Sequence, residues 1–379
     1  MSAQGRHGDR PIALGVAFGF ALSLGIATVT IPLLALEADY EPAAIGFLAA
    51  TAAASQLVTR LTLPSLLGRF ADRGLIALSA ALMVGAFLLL LASTALPAFL
   101  VAQVAQGAAR ALFWTSSQTH AIRSGGPAVR RLVDLNLAGN AGTLTGPALA
   151  GFLATFGLPV ALAGAAVSAA AAALAAPLMA RLPAYDRRQS VGALRILRRD
   201  GVDVASWANF VAGTWWAMIG SYIPVVLVGA GFGPALIGWL VTISEGAGAL
   251  TLLVIRRTRP ERIRRIVRVG AFAEMAALTG IALSPALLPA YAALLIAGGM
   301  AAGAVTSLGP ALVTMVSNDQ EHGDALAMSG TFRSFALLGA PAAVGALLAV
   351  VTLPVALASV AMAAAAPGVA LSLRRTRRA

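Results

Sequence analysis

Six long stretches without a charged residue constrain this chain more than any other feature of its sequence. They are 26 to 46 residues long, and a helix that crosses the hydrocarbon core of a membrane needs about 20. The longest of them therefore hold two crossings each. The stretches are 11–36, 74–109, 135–180, 204–244, 275–318 and 334–373.

The overall composition agrees with these stretches. Hydrophobic residues make up 59% of the chain and charged residues only 11%, whereas a soluble domain carries roughly a quarter charged residues. The sequence therefore predicts a polytopic membrane protein.

Turn signals divide the long stretches near their middles, which predicts tight hairpins there. Taking 11–36 as crossing 1 and the segment from Pro42 to about Leu66 as crossing 2, we count twelve crossings in an all-α fold. Crossing 1 is too long for a removable signal peptide and lacks a small-residue cleavage site. The turn signals are STALPAF after Ala92, FGLP at Phe156, GAGFGP at Gly229, SPALLPA at Ser284 and VVTLP at Val350.

The basic residues predict the orientation of the chain. All 27 are arginine, and they cluster in alternate connections and at both termini. The opposite connections contain no arginine, and the first of them is acidic, with Glu37, Asp39 and Glu41. By the positive-inside rule the arginine side is cytoplasmic. We therefore expect a multi-pass protein of a bacterial inner membrane with both termini in the cytoplasm.

The charge balance and the rare residue types limit the partners. A net charge of +12 in short connections beside membrane helices favours anionic lipids over nucleic acid. The chain has no cysteine and only three histidines, His7, His120 and His322, which argues against a metal site. No pattern typical of an enzyme or of a cofactor site is present, and we expect a monomeric non-enzyme.

The chain divides into two halves of six crossings. We predict an N-terminal bundle over 1–182, a cytoplasmic linker over 183–203 and a C-terminal bundle over 204–379. A faint repeat supports duplication: crossing 5, beginning after Asp134, carries Pro147 and Gly151, and crossing 11, beginning after Asp324, carries Pro341 and Gly345. Parallel repeats of this kind are typical of transporters.

The segment GTLTGPALAG of crossing 5 is predicted to be a packing and bending element. Gly142 and Gly146 lie four residues apart and leave one helix face bare, so that a neighbouring backbone can approach closely. Pro147 leaves a carbonyl without its helical partner and bends the axis. The alternative is a plain helix contact without any role in movement.

Ionisable residues inside the membrane are the sharpest functional signal, because they are costly to bury there. Arg110 lies near the middle of crossing 4 and Glu245 near the middle of crossing 8, whereas Glu274 and Arg333 lie in the cytoplasmic halves of crossings 9 and 11. We assign proton coupling to Glu245, since a carboxylate removed from water favours its neutral form and can be loaded and unloaded. For Glu274, a structural pairing with Arg333 is an equal alternative.

Polar and aromatic residues at helical spacing predict a substrate cavity. Trp and Tyr offer flat apolar surface with one polar group, which suits a loosely specified organic molecule; the alternative for Trp215 and Trp216 is a position facing lipid or core. The candidates are Gln103, Gln106, Arg110, Trp114 and Ser117 on crossing 4, Asn209, Trp215, Trp216 and Tyr222 on crossing 7, Ser307, Pro310, Thr314 and Ser317 on crossing 10, and Arg333 on crossing 11.

Three motifs resemble those of the major facilitator superfamily, in particular its 12-helix drug and proton antiporters. GTLTGPALAG is similar to the fifth-helix motif G-x-x-x-G-P-x-x-G-G, with Ala150 at its penultimate glycine. The segment 68–74 resembles the loop motif G-x-L-a-D-R-x-G-R-R through Gly68, Asp72 and Arg73, although one residue is missing and two basic positions are apolar. Gln106-Gly107 resembles R-x-x-Q-G, with Gln103 at the arginine position.

The resemblance implies alternating access, in which two six-helix bundles rock about a central cavity. Crossings 1, 4, 7 and 10 then line the cavity, and crossings 2, 5, 8 and 11 form the bundle interface. It places crossing 9 at the periphery, which makes Glu274 a weaker proton-site candidate than Glu245. It also places Asp72 near the cytoplasmic start of crossing 11, where the helix dipole favours a carboxylate, and makes Gly142, Gly146, Pro147 and Gly151 conformational elements.

Three functions are compatible with these features. The leading hypothesis is a secondary active transporter that exports a small, partly hydrophobic organic compound in exchange for protons. The second is uptake or exchange of an anionic metabolite, motivated by Arg110 and Arg333. The third is a membrane sensor or scaffold without flux, motivated by the incomplete loop motif at Gly68.

Overall fold

A computed structural model describes residues 9–67, 69–124, 128–182, 201–255, 258–316 and 322–376, and these ranges contain helices and short connections but no strand. The helices are α1 (Asp9–Glu37), α2 (Pro42–Leu67), α3 (Asp72–Ala92), α4 (Leu96–Arg123), α5 (Ala128–Ala154), α6 (Leu158–Ala175), α7 (Val202–Ile219), α8 (Tyr222–Gly229), α9 (Pro234–Ile255), α10 (Pro260–Leu283), α11 (Leu288–Val316), α12 (His322–Leu347) and α13 (Leu353–Thr376).

The helices are long because a chain in lipid must satisfy its backbone groups internally. Nine helices of the described part are long and apolar enough to span a membrane, or ten if α7 and α8 count as one span. The two long helices outside this set, α5 and α12, have 27 and 26 residues. The all-α polytopic fold is therefore confirmed, and the count of twelve crossings stays a prediction.

The five predicted hairpin turns all lie between helices, as expected. Two of them need a glycine in the left-handed region, where a side chain is strained: Gly157 has φ 118° and Gly231 has φ 85°. Helix starts at these turns carry proline in the first turn, including Pro159 in α6, where its missing N–H costs no hydrogen bond.

Crossing 7 consists of two helices. It is divided into α7 and α8, whose axes meet at 48°. The break falls at Gly220 and Ser221, the first ending α7 and the second preceding α8. Helices α9 to α13 consequently correspond to crossings 8 to 12.

Two helices begin earlier than predicted. Crossing 5 is predicted to begin after Asp134, but α5 begins at Ala128; crossing 11 is predicted to begin after Asp324, but α12 begins at His322. A helix can begin before the charged residue taken as its boundary, because it can continue past the hydrocarbon core with charged residues in its end turns.

The chain divides into two compact units. Unit 1 consists of Met1–Tyr40, Thr51–Arg188 and Phe232–Thr242, and unit 2 of Glu41–Ala50, Gln189–Gly231 and Ile243–Ala379. Most of the predicted linker 183–203 lies outside the described residues, and α7 begins at Val202. The domain boundaries 1–182, 183–203 and 204–379 remain a prediction.

Unit 1 is built around α1, which packs on α5 and α6, while α3 packs on α4 and α6. The rings of Phe20 and Phe113 stack with centroids 3.7 Å apart. In unit 2, α7 packs on α12 and α11, and α10 packs on α11 and α13. The indole N–H of Trp207 donates a 2.8 Å hydrogen bond to the carbonyl of Ala364 on α13.

A Pro-x-x-x-Gly segment recurs at a close helix crossing in unit 1. A Cβ on Gly151 of α5 would lie 2.6 Å from the carbonyl oxygen of Pro234, and a Cβ on Gly238 of α9 would meet the carbonyl of Pro147. Each glycine therefore makes room for the proline turn of the other helix.

The same arrangement occurs within unit 2. A Cβ on Gly46 of α2 would lie 2.6 Å from the carbonyl oxygen of Pro341, and a Cβ on Gly345 of α12 would lie 3.0 Å from the carbonyl oxygen of Ala43. Pro42 begins α2, so the spacing of proline and glycine is the same in both partners. The internal repeat is predicted from the sequence for the segments at Pro147 and Pro341. It thus also includes the segments that contact them, at Pro234 and Pro42.

Candidate functional site

Polar side chains follow one face of α4 and are buried or half-buried. Gln106 is 0% exposed and Gln103 is 6% exposed, while Arg110 is half-buried. Both amide atoms of Gln106 and the Nε of Arg110 have no hydrogen-bond partner within the described residues. Since buried polar atoms are normally hydrogen-bonded, this face has donors and an acceptor left for a polar ligand or water. Trp114 on the same stripe is half-buried and Ser117 is buried.

Close helix contacts hold this face of α4 in place. At Gly107 there is no room for a side chain against the backbone of α2, and the Ser55 hydroxyl of α2 donates a 2.7 Å hydrogen bond to the carbonyl of Val104. On α5, a Cβ at Gly139 would lie 2.6 Å from the ring of Trp114. The orphaned polar atoms are therefore held on a helix fixed from two sides.

A buried carboxylate and imidazole join three elements of unit 1 near the C-terminal end of α4. Asp9 Oδ2 lies 3.0 Å from His120 Nε2, and the two side chains are 2% and 1% exposed. Asp9 Oδ1 accepts a 2.7 Å hydrogen bond from the backbone N–H of Ala180. The pair ties α1, α4 and the segment after α6 together.

The Asp-Arg pair of the loop before α3 is also engaged inside unit 1. Asp72 is 0% exposed, and its carboxylate accepts hydrogen bonds of 3.1 and 3.3 Å from Nη1 of Arg123 on α4. Nη1 of Arg73 donates to the carbonyls of Pro177 and Met179 at 3.2 and 3.1 Å. Gly68 lies outside the described residues. The partner of Asp72 in the structure is therefore a guanidinium of unit 1.

In unit 2, two adjacent glycines of α11 admit neighbours from α7 and α9. The ring of Trp215 lies against Gly298, and the Ser244 carbonyl of α9 lies against Gly299. Trp215 is 0% exposed, and its Nε1 has no hydrogen-bond partner among the described residues. Glu245 follows Ser244 directly and is half-buried. Glu245, the candidate proton site, thus lies beside the point where the backbones of α9 and α11 are in contact.

A second carboxylate of unit 2 is more deeply buried. Glu274 on α10 is 0% exposed, and neither carboxylate oxygen has a hydrogen-bond partner within the described ranges. Arg333, the pairing partner that the sequence suggests, lies on α12 and donates no hydrogen bond to this carboxylate. A Cβ on Gly213 of α7 would lie 2.7 Å from the carbonyl oxygen of Arg333, so α7 and α12 pack closely at this point.

Other predicted cavity residues of unit 2 differ in what the structure shows of them. The Tyr222 hydroxyl donates a 3.5 Å hydrogen bond to the carbonyl of Pro341, which assigns it to packing with α12. Trp216 and Ser307 are half-buried. Thr314 lies in α11, but its side chain is outside the described part of the structure, as is Ser317.

Two other kinds of site find no support in the structure. A groove of about 250 Å³ between α3 and α4 is lined only by apolar side chains, among them Leu78, Leu82 and Val101, and contains none of the predicted residues. Among the described residues, no group of three or more His, Asp or Glu could hold a metal ion.

Comparison with protein families decides the identity of the fold. A model described as "Major Facilitator Superfamily" matches residues 13–208, more than half of the chain. The chain belongs to the major facilitator superfamily. No curated protein sequence matches it significantly.

Solved structures of transporters share the superfamily fold over nearly the whole chain. A variant of the nucleoside transporter NupG is similar with a TM-score of 0.78 at 13% identity, covering 96% of this chain and 98% of that one. A bacterial homologue of the human lysosomal transporter Spinster has a TM-score of 0.72 at 14% identity, with coverages of 98% and 96%. The human organic anion transporter MFSD10 has a TM-score of 0.64 at 15% identity, with coverages of 96% and 99%.

Within this superfamily member, the fifth-helix motif contacts two different helices. A Cβ on Gly146 would lie 2.5 Å from the Cα of Gly25 on α1, and one on Gly142 would lie 2.5 Å from the carbonyl of Phe18. Gly142 and Gly146 therefore pack inside unit 1, whereas the resemblance implies a position at the bundle interface. The face with Gly151 meets the first turns of α9.

The sequence does not predict contacts between residues that are far apart in the chain. Asp9 and His120 are separated by 111 residues, and neither lies within a charge-free stretch. The close contact between α9 and α11 at Gly299 could have been predicted from the sequence, because Gly299 and Gly303 form a G-x-x-x-G pattern typical of close helix packing.

Proposed function

We propose that this superfamily transporter exports a small, partly hydrophobic organic compound in exchange for protons, by alternating access in a bacterial inner membrane. The position of Glu245 carries the proposal. It is a half-buried carboxylate near the middle of α9, in a helix where charge is costly. An ionisable residue at this depth marks a functional site by default, and a carboxylate can bind a proton.

The packing beside Glu245 supports a role that depends on movement. At Ser244 and Gly248 the α9 backbone lies directly on Gly299 and Gly303 of α11. Since side chains do not separate the two helices there, a small sliding motion changes what surrounds the neighbouring carboxylate. Glu245 would hold a proton in the less hydrated state and release it to water in the other.

The compound is proposed to contact the polar face of α4. Gln106 and Arg110 offer unpartnered donors and an acceptor, and the half-buried Trp114 offers an apolar surface one turn further on. One polar anchor beside an aromatic ring suits a molecule that is partly hydrophobic. The α4 face would then fix the polar end of the substrate.

A second candidate function is uptake or exchange of an anionic metabolite. It is favoured by Arg110, whose Nε is buried without a hydrogen-bond partner within the described residues, because a guanidinium binds carboxylate and phosphate groups well. Arg110 and Gln106 are the residues that support this candidate.

Flux measurement separates these functions. A thermal-shift screen of the purified protein against a compound library at two pH values identifies ligands, which are then tested for uptake into proteoliposomes under an imposed proton gradient. We expect neutral or cationic, partly hydrophobic ligands and movement against the proton flow. Ligands that are all anions favour the second function, and ligands that bind without any flux indicate a sensor or scaffold.

A further inference from the structure

Three aromatic rings of unit 1 pack in sequence between α1 and α4. The rings of Phe20 on α1 and Phe113 on α4 stack with an interplanar angle of 3°. Phe113 meets the indole of Trp114 at 87°, with the ring centroids 5.4 Å apart. Phe20 and Phe113 are 0% exposed, whereas Trp114 is half-buried. Two buried phenyl rings therefore support an indole that is itself partly accessible.

A glycine of α5 fixes the far end of this indole. A Cβ on Gly139 would lie 2.6 Å from Cη2 and 3.1 Å from Cζ3 of Trp114, so any side chain at this position would displace the ring. Both atoms belong to the tip of the six-membered ring, so Gly139 lies against its edge and leaves the faces uncovered.

At least one face of the indole has no aromatic partner. Phe113 is nearly perpendicular to the indole and can cover only one of its faces. Within the described part of the chain, Phe113 supplies the one ring contact of Trp114. The ring is thus held at its edges, which makes it a fixed flat surface.

Polar groups of two helices accompany the indole. Arg110 precedes Trp114 by one turn on α4, and its Nε has no hydrogen-bond partner among the described residues. On α5, Asn136 and Asn140 are exposed on either side of Gly139 in the chain, within a stretch that has no charged residue. Polar side chains of membrane helices face the bundle interior or a water-filled cavity in preference to lipid.

We propose that the substrate carries an aromatic ring that stacks on the indole of Trp114, and that Gly139 determines this specificity by positioning the indole. The inference rests on the proposed function, because it takes the polar face of α4 as the place where the compound binds. A flat ring fits a fixed indole face, and an aromatic pair gains more affinity than the buried area alone provides. An aliphatic compound of the same size gains only the contribution of the area.

A tryptophan of unit 2 shows how the same contact looks when it serves packing alone. Trp215 also lies against a glycine, Gly298, but its side chain is 0% exposed. Trp114 keeps accessible surface although Gly139 and Phe113 hold its ring. The accessible indole surface is what a ligand requires and what core packing would remove.

Two neutral amides test the inference by binding alone. 2-Naphthylacetamide and its decahydro counterpart share the amide and the two-ring skeleton, but only the first is aromatic. Aromatic stacking corresponds to a gain of about 2- to 12-fold in affinity. Ligand-observed NMR should therefore show that the wild-type protein binds the naphthyl compound more tightly by this factor. Equal affinities, or no binding of the naphthyl compound, would overturn the inference.

Variants assign the preference to its residues. Trp114→Leu should abolish it, and Trp114→Phe should retain part of it. Gly139→Ala displaces only the far end of a flexible side chain, so it should fold and lower the preference. Gly85→Ala on α3 is the matched control, because nothing lies within 4 Å of a Cβ there, and it should keep the wild-type ratio. A wild-type ratio in Trp114→Leu, or in Gly139→Ala if Trp114→Leu does not fold, contradicts the inference.

Flux separates this inference from the proposed function. A wild-type protein that prefers the naphthyl compound but moves no ligand under an imposed proton gradient would contradict the proposed export and leave the aromatic site standing. Proton-driven transport by a protein that binds the two amides equally would contradict only the aromatic site.

Discussion

Two neighbouring charged residues at the start of α1, Asp9 and Arg10, form pairs that differ in solvent exposure. Asp9 and His120 are almost completely buried, and Asp9 also accepts the N–H of Ala180. Arg10 lies 2.6 Å from Asp134, but these side chains are 44% and 21% exposed. Removing one member of a buried pair leaves the other without compensation, whereas an exposed pair exchanges its partner for water.

We therefore predict unequal losses of stability. His120→Ala should lower the free energy of unfolding by about 3 to 5 kcal/mol, and Arg10→Ala by about 0 to 1 kcal/mol. The midpoint of thermal unfolding of each variant in detergent is the measurement. Equal shifts in the two variants would show that the buried pair does not tie α1 to α4.

Glu245→Gln should uncouple transport from protons. Glutamine keeps the size and hydrogen-bonding capacity of the side chain but cannot release a proton, so accumulation driven by a proton gradient should vanish while exchange of substrate down its own gradient continues. Glu245→Asp should retain partial coupling with a changed pH profile. Both are measured as uptake of a ligand from the thermal-shift screen.

The control for this prediction is stability measured on the same preparation. A structural Glu245 predicts a different result, in which Glu245→Gln loses stability while flux for each folded molecule stays near the wild-type value. Normal substrate-induced proton release from a stable Glu245→Gln variant would remove Glu245 from the coupling mechanism.

At the residue scale, the sequence reveals charges that interrupt an apolar run but not the partners of those charges. Arg110 and Glu245 could be selected because any ionisable group at that depth is unusual. The pairing of Asp9 with His120 could not, because it depends on how α1 and α4 pack. The bond between Asp72 and Arg123 depends on packing in the same way.

At the scale of the helix, two of the four Pro-x-x-x-Gly segments could be predicted from the sequence. Pro147 and Pro341 interrupt long apolar runs, so they indicate special packing. Pro42 and Pro234 begin helices, where proline is common and gives no such signal. Their partnership is visible only in the fold, where Gly46 and Gly238 lie against the prolines of α12 and α5.

The close contact between α1 and α5 leads to a prediction about stability. A Cβ at Gly146 would lie 2.5 Å from the Cα of Gly25, so Gly146→Leu must push the two helices apart. We expect a loss of stability of about 1 to 3 kcal/mol or more, with folded protein and flux lost together.

Gly85→Leu on α3 is the matched control, because nothing lies within 4 Å of a Cβ at that position. It should leave the unfolding midpoint near that of the wild type. If Gly146→Leu is as stable as Gly85→Leu and loses only flux, the role of Gly146 is conformational, as the fifth-helix motif implies in its family.

At the scale of the whole molecule, the amino-acid composition indicates the membrane class, and the placement of arginine predicts the orientation. The division of the chain into units is less accessible from the sequence. The start of α2 clusters with unit 2 and the start of α9 with unit 1, although the sequence predicts six crossings before the linker and six after it. The order of helices along the chain does not reveal that a helix start clusters with the other unit, because this clustering depends on contacts between residues far apart in the sequence.

The orientation of the chain can be tested on a natural cysteine-free background. Single cysteines replace Thr94 and Arg69, which are exposed in the connections before α4 and before α3. With the arginine-rich side in the cytoplasm, a membrane-impermeant thiol reagent should label Thr94→Cys in intact cells and Arg69→Cys only after permeabilisation. The reverse pattern would invert the predicted topology.

Gradient-driven uptake of the selected ligand into proteoliposomes tests the proposed proton-coupled export most directly. In an antiporter, protons leaving an acidic interior drive the compound inward, so wild-type vesicles with an acidic interior should accumulate it above the levels of protein-free and Glu245→Gln vesicles. Accumulation only when the exterior is acidic, or equal accumulation in all three preparations, would contradict proton-driven export by this protein.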